Sequence, residues 1–279
     1  MVEVTNQIVV ETDSLKWLLQ LAQRKQTIDG KSIPQIHSAM LMAENGRLRC
    51  GSLVKDGVTS LINVSIPCHG NCDLGYAISD IDNVLGILKY HGGVLTMINK
   101  GSKIVFKSGS KQTTITGNTD SRAFPHTAET MAQWYKKSQS IINKIDGLAM
   151  TYTKNDGSVI EPTLLFSDLN TTSLYEAFRC DSMNGQKFNK YKLSCEDGNL
   201  YVDVGEELKG KTKSLVVENC VDMDFESTYN GGLEEVFRNL NSDVNIAIWD
   251  FTEADMGYPM LITLGDGDFI FQMSNLGGQ

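Results

Sequence analysis

The sequence predicts an α+β protein of two similar halves, each made of two units in which a helix is followed by antiparallel strands. Three observations carry this reading. Two hairpin signals, Glu44-Asn45-Gly46-Arg47-Leu48 and Glu196-Asp197-Gly198-Asn199-Leu200, set their glycines 152 residues apart. Two amphipathic segments repeat at the same offset, with Val84 matching Val236 and Leu88 matching Leu240. Each of these segments leads into three short strands divided by glycine turns.

The elements follow in order. Leu15, Leu18, Leu19 and Ala22 share one face of a helix opening at Ser14-Leu15, with Asp13 or Ser14 as its cap. Strands at 38–43 and 47–54 flank Asn45-Gly46, a dipeptide that supplies the positive φ of a two-residue hairpin turn. Ile81, Val84, Leu85 and Leu88 mark a second helix, and strands follow at 94–98, 103–107 and 112–116. The second half repeats this. Leu174, Ala177 and Phe178 mark a helix capped by Thr171 or Thr172, and strands at 188–195 and 199–204 flank Asp197-Gly198. Leu233, Val236, Phe237 and Leu240 mark the next helix, and strands at 244–251, 259–264 and 269–273 close the half. The domains are therefore expected at 1–118 and 159–279. The connector, 119–158, is too long for an ordinary loop. Its 127–145 stretch has helical spacing, with Met131, Trp134, Tyr135, Ile141, Ile142 and Ile145 on an apolar stripe that either packs on the body or meets a partner.

Composition narrows the function classes. The chain has 279 residues, 41% apolar and 21% charged, so it can bury a core. No run approaches the length of a membrane span, and the N-terminus has no secretory pattern. A cytoplasmic protein with reduced thiols is expected from six scattered cysteines. The net charge of −9 is uneven: +3 over 1–118, +1 over 119–158 and −13 over 159–279. An acidic whole argues against a nucleic-acid coat protein, and leaves room for a local basic surface on a repelling body.

Catalytic signatures are missing. There is no phosphate-binding loop, nucleophile elbow, zinc-protease helix or dinucleotide fingerprint. Gly265-Asp266-Gly267-Asp268 lacks the ligand ladder of a calcium loop and reads as a hairpin turn. Cys68-His69-Gly70-Asn71-Cys72 holds three residues of zinc-ligand type where four are needed, with Cys50 or His91 as a distant fourth. No cofactor and no metal are expected, and the protein is not expected to be an enzyme. The polar helix faces say more. Lys16, Gln20 and Arg24 lie opposite the apolar stripe of the first helix, with Lys25 extending that face. Lys89, Arg179 and Arg238 sit on the other three helices. Any one face is an ordinary solvated surface. Four repeated helices, each with a cation, form a surface that can contact phosphates without reading bases.

This arrangement resembles the DNA sliding clamp family, which includes proliferating cell nuclear antigen and the phage processivity clamps. The segment from Tyr76 to Leu88 resembles the second helix of the first clamp domain with its lead-in strand, and Tyr258–Ile262 with Gly267–Met273 resembles the closing hairpin of the second. The resemblance implies a closed ring of six domains, hence a homotrimer of two-domain chains, where the bacterial type has three domains and dimerises. It implies sequence-independent binding of double-stranded DNA by the inner helices, and docking of a DNA polymerase and a clamp loader. By position, the docking groove would use Leu53, Val58, Pro259 and Met260. The wording of the second helix and the long connector lean toward a viral, phage-type clamp. Three alternatives stay open: a subunit of a heterotrimeric or checkpoint-type clamp, a zinc enzyme using Cys68, His69 and Cys72, and a repeat-built adaptor that binds only protein.

Overall fold

The computed structural model describes residues 6–28, 31–36, 38–51, 60–116, 128–179, 190–206, 210–218, 220, 225–230, 232–254 and 256–275. At 24–28, 31–36, 190, 206, 230 and 275 it describes the backbone alone. The chain divides into two compact units. One takes in 1–23, 36–53 and 62–142, the other 24–35, 54–61 and 143–279.

In the first unit, strand Gln7–Glu11 runs into helix α1, Thr12–Ala22. Strands Ala39–Glu44, Arg47–Gly51, Ser60–Pro67 and His69–Ile78 follow, then helix α2, Ile81–Leu88. Strands Val94–Asn99, Lys103–Ser108 and Lys111–Thr116 complete the unit. Gln7–Glu11 pairs antiparallel with both Val94–Asn99 and His69–Ile78, which joins the outgoing and returning strands in one sheet. The connector helix, α3, spans Ala128–Ile142. It packs within this unit, burying Met131 and Tyr135 against Met40 and Ala77. The apolar stripe of the connector is thus core, and its packed face is closed to a partner.

The second unit repeats that order. Strand Leu164–Leu169 leads into helix α4, Thr171–Phe178. Strands Lys190–Glu196, Asn199–Glu206, Gly210–Val217 and Phe225–Asn230 come next, then helix α5, Leu233–Arg238. Strands Val244–Ile248, Met260–Gly265 and Asp268–Gln272 close it. Met260–Thr263 and Asp268–Gln272 are buried throughout. The unit also holds a small sheet of Ile145–Asp146, Thr151–Thr153 and Val159–Ile160, whose first two strands lie in the stretch read as connector.

The 152-residue offset is structural as well as textual. Asn45 and Gly46 have φ of 52° and 75°, and Asp197 and Gly198 have 50° and 71°, the paired left-handed conformation of a two-residue hairpin. The Gly46 carbonyl accepts from the Cys68 amide at 2.8 Å, and the Gly198 carbonyl accepts from the Cys220 amide at 2.6 Å, again 152 residues on. Asp266 and Gly267, at 51° and 77°, turn a third hairpin, as the sequence indicates.

Several local expectations are corrected. Helix α1 begins at Thr12, two residues before the expected start, and its flanking Glu11 makes no side-chain cap. Asn170, not Thr171 or Thr172, caps α4 by accepting from the Ser173 amide at 3.1 Å. Arg24 and Lys25 do not extend α1, which ends at Ala22. They begin strand Arg24–Ile28, paired with Lys31–Ile36. The break comes at Gln23, whose extended backbone (φ −78°, ψ 142°) stops the helix while its amide still bonds the Leu19 carbonyl at 3.1 Å.

Candidate nucleic-acid interface

Each unit carries one helix pair. In the first, Leu15, Leu18, Leu19 and Ala22 of α1 are buried, and Ile81, Val84 and Leu88 of α2 are buried. The two helices pack on each other. The start of α1 is tied to the end of α2: both the amide and the Oγ1 hydroxyl of Thr12 donate to the Gly93 carbonyl, at 2.9 and 2.7 Å. Asp80 caps α2 by accepting from the Asn83 amide at 2.9 Å. These ties leave Asp13, Lys16, Gln20, Asp82 and Lys89 on the polar faces, with Gln20 and Lys89 exposed.

The second unit builds the same pair. Thr171 Oγ1 of α4 donates to the Leu240 carbonyl just beyond α5, at 3.4 Å, the counterpart of the Thr12 tie. Phe178 of α4 meets Phe237 of α5 with ring centroids 5.0 Å apart, and Tyr191 at 5.2 Å. The Tyr191 hydroxyl donates to the buried Glu234 carboxylate and accepts from the Gly232 amide at 3.4 Å. The short α5 is therefore anchored by one aromatic and one buried acid. Arg179 and Arg238 project from the C-terminal ends of α4 and α5, where a cation is favoured by the helix dipole.

The electrostatics differ from the expected basic stripe. Lys16 pairs with Asp13 at 2.8 Å, Arg179 pairs with Glu176 at 3.3 Å and lies 5.7 Å from the Tyr175 ring centre, and Arg238 pairs with Glu235. Each cation is matched by an acid three residues earlier on its own helix. The Lys16–Asp13 pair, with its acid 92% exposed, is a surface pair worth about 0–1 kcal/mol, whereas Glu235 is only 13% exposed. The side chains of Arg24 and Lys25 lie outside the described residues. Lys16, Arg179 and Arg238 thus each stand beside an acid of their own helix.

The other singled-out residues fall elsewhere. Pro259 and Met260 are buried, and Met260 pairs across the sheet with Gln272 and Ile248, so neither forms an open surface here. Leu53 and Val58 lie outside the described residues. A cavity of about 270 Å³ in the first unit, between the start of α3 and the sheet, escaped the sequence reading. Met40, Leu74, Gly75, Asn99, Ile104 and Ala132 line it. Leu74 is 61% exposed, the one local sign that an apolar residue of that strand faces outward.

Cys68 and Cys72 are buried, while His69 is exposed, and burial pushes both thiols above the ordinary range. Cys72 Sγ contacts the Gly75 carbonyl at 3.5 Å. No group of three metal-ligating side chains occurs among the described residues, so the three do not converge. His91, offered as a fourth ligand, is a core residue whose ring nitrogens meet Ser108 Oγ at 2.8 Å and Thr113 Oγ1 at 3.0 Å. No helix among the described residues is long and apolar enough to cross a membrane.

No family model matches the sequence, and no curated protein matches it. Solved structures do. The chain is similar to the DNA polymerase III β protein of Caulobacter crescentus, at 15% identity and a TM-score of 0.60, over 98% of this chain and 67% of that one. It is similar to the DNA polymerase III β subunit of Thermotoga maritima, at 13% identity and a TM-score of 0.59, over 98% and 66%. It is similar to the DNA polymerase sliding clamp of Bacillus subtilis, at 13% identity and a TM-score of 0.57, over 98% and 65%. The chain thus has the sliding-clamp fold, and it spans about two thirds of the length of these clamps.

Proposed function

We propose that this chain is a DNA polymerase processivity factor, three copies of which close into a ring around duplex DNA. The observation that carries the reading is the repeated helix pair, two per chain, in a fold matching about two thirds of a bacterial clamp chain. If a full ring needs six such units, two units per chain require three copies, where a three-unit chain requires two. The ring acts by topology and catalyses nothing. It holds a polymerase on DNA because escape requires opening, so contacts from Lys16, Gln20, Arg24, Lys25, Lys89, Arg179 and Arg238 can be individually weak. Polymerase and clamp loader dock on it, and it works at the site of DNA replication in the cytoplasm, the host's if the chain is phage-encoded.

Free sheet edges support closure. Among the described residues, Lys111–Thr116 pairs on one side only, with Lys103–Ser108, and Gly210–Val217 pairs on one side only, with Asn199–Glu206. They belong to different units and have six and eight residues. An unprotected edge invites another strand, and head-to-tail pairing of two unlike edges closes a ring when the rotation permits. Leu164–Leu169, also at a sheet end, is kinked by a register shift with Asp168 at φ 55°, which blunts it.

Light scattering coupled to size exclusion tests the reading. The chain mass is 30.8 kDa, so the homotrimer is expected at about 92 kDa. A strict monomer at high concentration, with or without candidate sister subunits, overturns the ring.

A further inference from the structure

We infer that Cys195 and Cys220 form a reversible disulfide that staples the far end of the free edge strand Gly210–Val217 to the sheet behind it. Their sulfurs lie 3.8 Å apart, and both thiols are free. Closing to a bonded separation of ~2.05 Å needs a movement of about 1.8 Å. The backbone already holds the pair near the same turn: Cys195 pairs with Leu200, one residue short of the end of the ladder at the Asp197-Gly198 turn, and the Cys220 amide is fixed on the Gly198 carbonyl at 2.6 Å.

The internal repeat supplies a comparison within the molecule. Counting back 152 residues, Cys220 corresponds to Cys68, with the same amide bond to its hairpin glycine, but Cys195 corresponds to Ala43. One scaffold thus carries the same turn twice, and the second copy has a thiol where the first has Ala43. The bond would enclose strands Asn199–Glu206 and Gly210–Val217, so it constrains the segment that carries the edge.

The chemistry balances with a peroxide as oxidant. Cys220, half-exposed, attacks one peroxide oxygen; the O–O bond breaks, and sulfenic acid and one water form. Cys195 then displaces hydroxide from that sulfur; the S–S bond forms and a second water leaves with the proton. Two thiols have lost two electrons and two protons, and peroxide has become two waters. Cys195 is the resolving partner because it is buried, and burial beside Cys220 pushes its thiol up to about 12, so it is seldom a thiolate on its own. A dithiol reductant reverses the bond by exchange. None of this depends on the ring.

The test uses the full chain, reduced and then treated with stoichiometric hydrogen peroxide, alkylated and digested without reductant. The expected product is a peptide pair joining Cys195 to Cys220 that dithiothreitol releases, with titratable thiols falling from six to four. The unfolding midpoint of the oxidised chain is expected to rise by about 5 °C or more, from closing a loop of this length. Cys195→Ala, which copies the first half, should fold normally and show neither the link nor the shift. Absence of the link, over-oxidation of either cysteine in its place, or bonds to other cysteines or between chains overturns the inference. A link that lowers the midpoint overturns the staple.

Discussion

The weak intrahelical pairs make a specific prediction about DNA affinity. Replacing Asp13 by Asn frees Lys16 from a partner at 2.8 Å without changing the length of either side chain. Asp13 is 92% exposed and Lys16 28%, so the pair is a surface pair of the kind worth about 0.2–0.5 kcal/mol. If Lys16 must leave Asp13 to reach a phosphate, D13N removes that cost once per chain. In a ring of three the gain is about 0.6–1.5 kcal/mol, or roughly 3- to 12-fold in affinity. The slope of log affinity against log salt should also steepen, by up to about 0.9 for each phosphate newly neutralised. The variant gives up an acid in the first turn of α1, worth about 0.3–1 kcal/mol, so a small fall in melting midpoint should accompany the gain. Fluorescence anisotropy with a labelled short duplex, titrated with wild-type and D13N protein over a series of KCl concentrations, reads both quantities. D13N combined with Lys16→Gln is the control. Unchanged affinity and slope in D13N, or a gain that persists in the double variant, would refute Lys16 as a DNA-facing cation.

Three further outcomes are expected. Leu215, 45% exposed on the free Gly210–Val217 edge, becomes Lys in L215K, which should shift the scattering mass from the trimer toward 30.8 kDa with unchanged circular dichroism; a persistent trimer would exclude that edge from the interface. Tyr191→Phe removes the hydroxyl that donates to buried Glu234 and leaves a buried acceptor short of a donor, a cost of about 1–3 kcal/mol, and should lower the denaturant midpoint without altering its slope; no change would mean that Glu234 is held by its other contacts. His91 is held below the ordinary imidazole range, first by burial and then by the Lys111 charge. Its neutral form is the native one, so its stabilisation is complete above the unfolded value of about 6.5 and is lost as pH falls through and below it. The difference in melting midpoint between wild type and His91→Gln should therefore shrink between pH 7.5 and 5; a constant difference would place the acid sensitivity elsewhere.

The repeat was the most legible feature, for physical reasons. A two-residue hairpin with both residues at positive φ admits few dipeptides, so Asn45-Gly46 and Asp197-Gly198 announce themselves. Helix faces that must bury one stripe, such as Val84 with Leu88 and Val236 with Phe237, leave a period that survives sequence divergence. The helix ends were less legible. Asn170, Thr171 and Thr172 are all acceptable caps by chemistry, and only the backbone angle decided for Asn170. The extension of α1 through Arg24 and Lys25 had helical periodicity and good propensity, yet the strand pairing of Arg24–Ile28 with Lys31–Ile36 prevailed. Local preference is worth tenths of a kcal/mol per residue, and tertiary pairing routinely exceeds it.

Strands Gln7–Glu11, Ser60–Pro67, Leu164–Leu169, Gly210–Val217 and Phe225–Asn230 went unread, but the sequence by itself determined the repeat, the order of its helices, the hairpin turns and the fold they imply. Those follow from backbone sterics and burial periodicity, which act within a few residues. Tertiary structure alone decided the rest. It seated the stripe of α3 on Met40 and Ala77 and buried Met260. It also brought Cys195 to 3.8 Å from Cys220 across 25 residues. Contacts of that kind depend on where distant strands are laid side by side, and no short-range period in the chain records them.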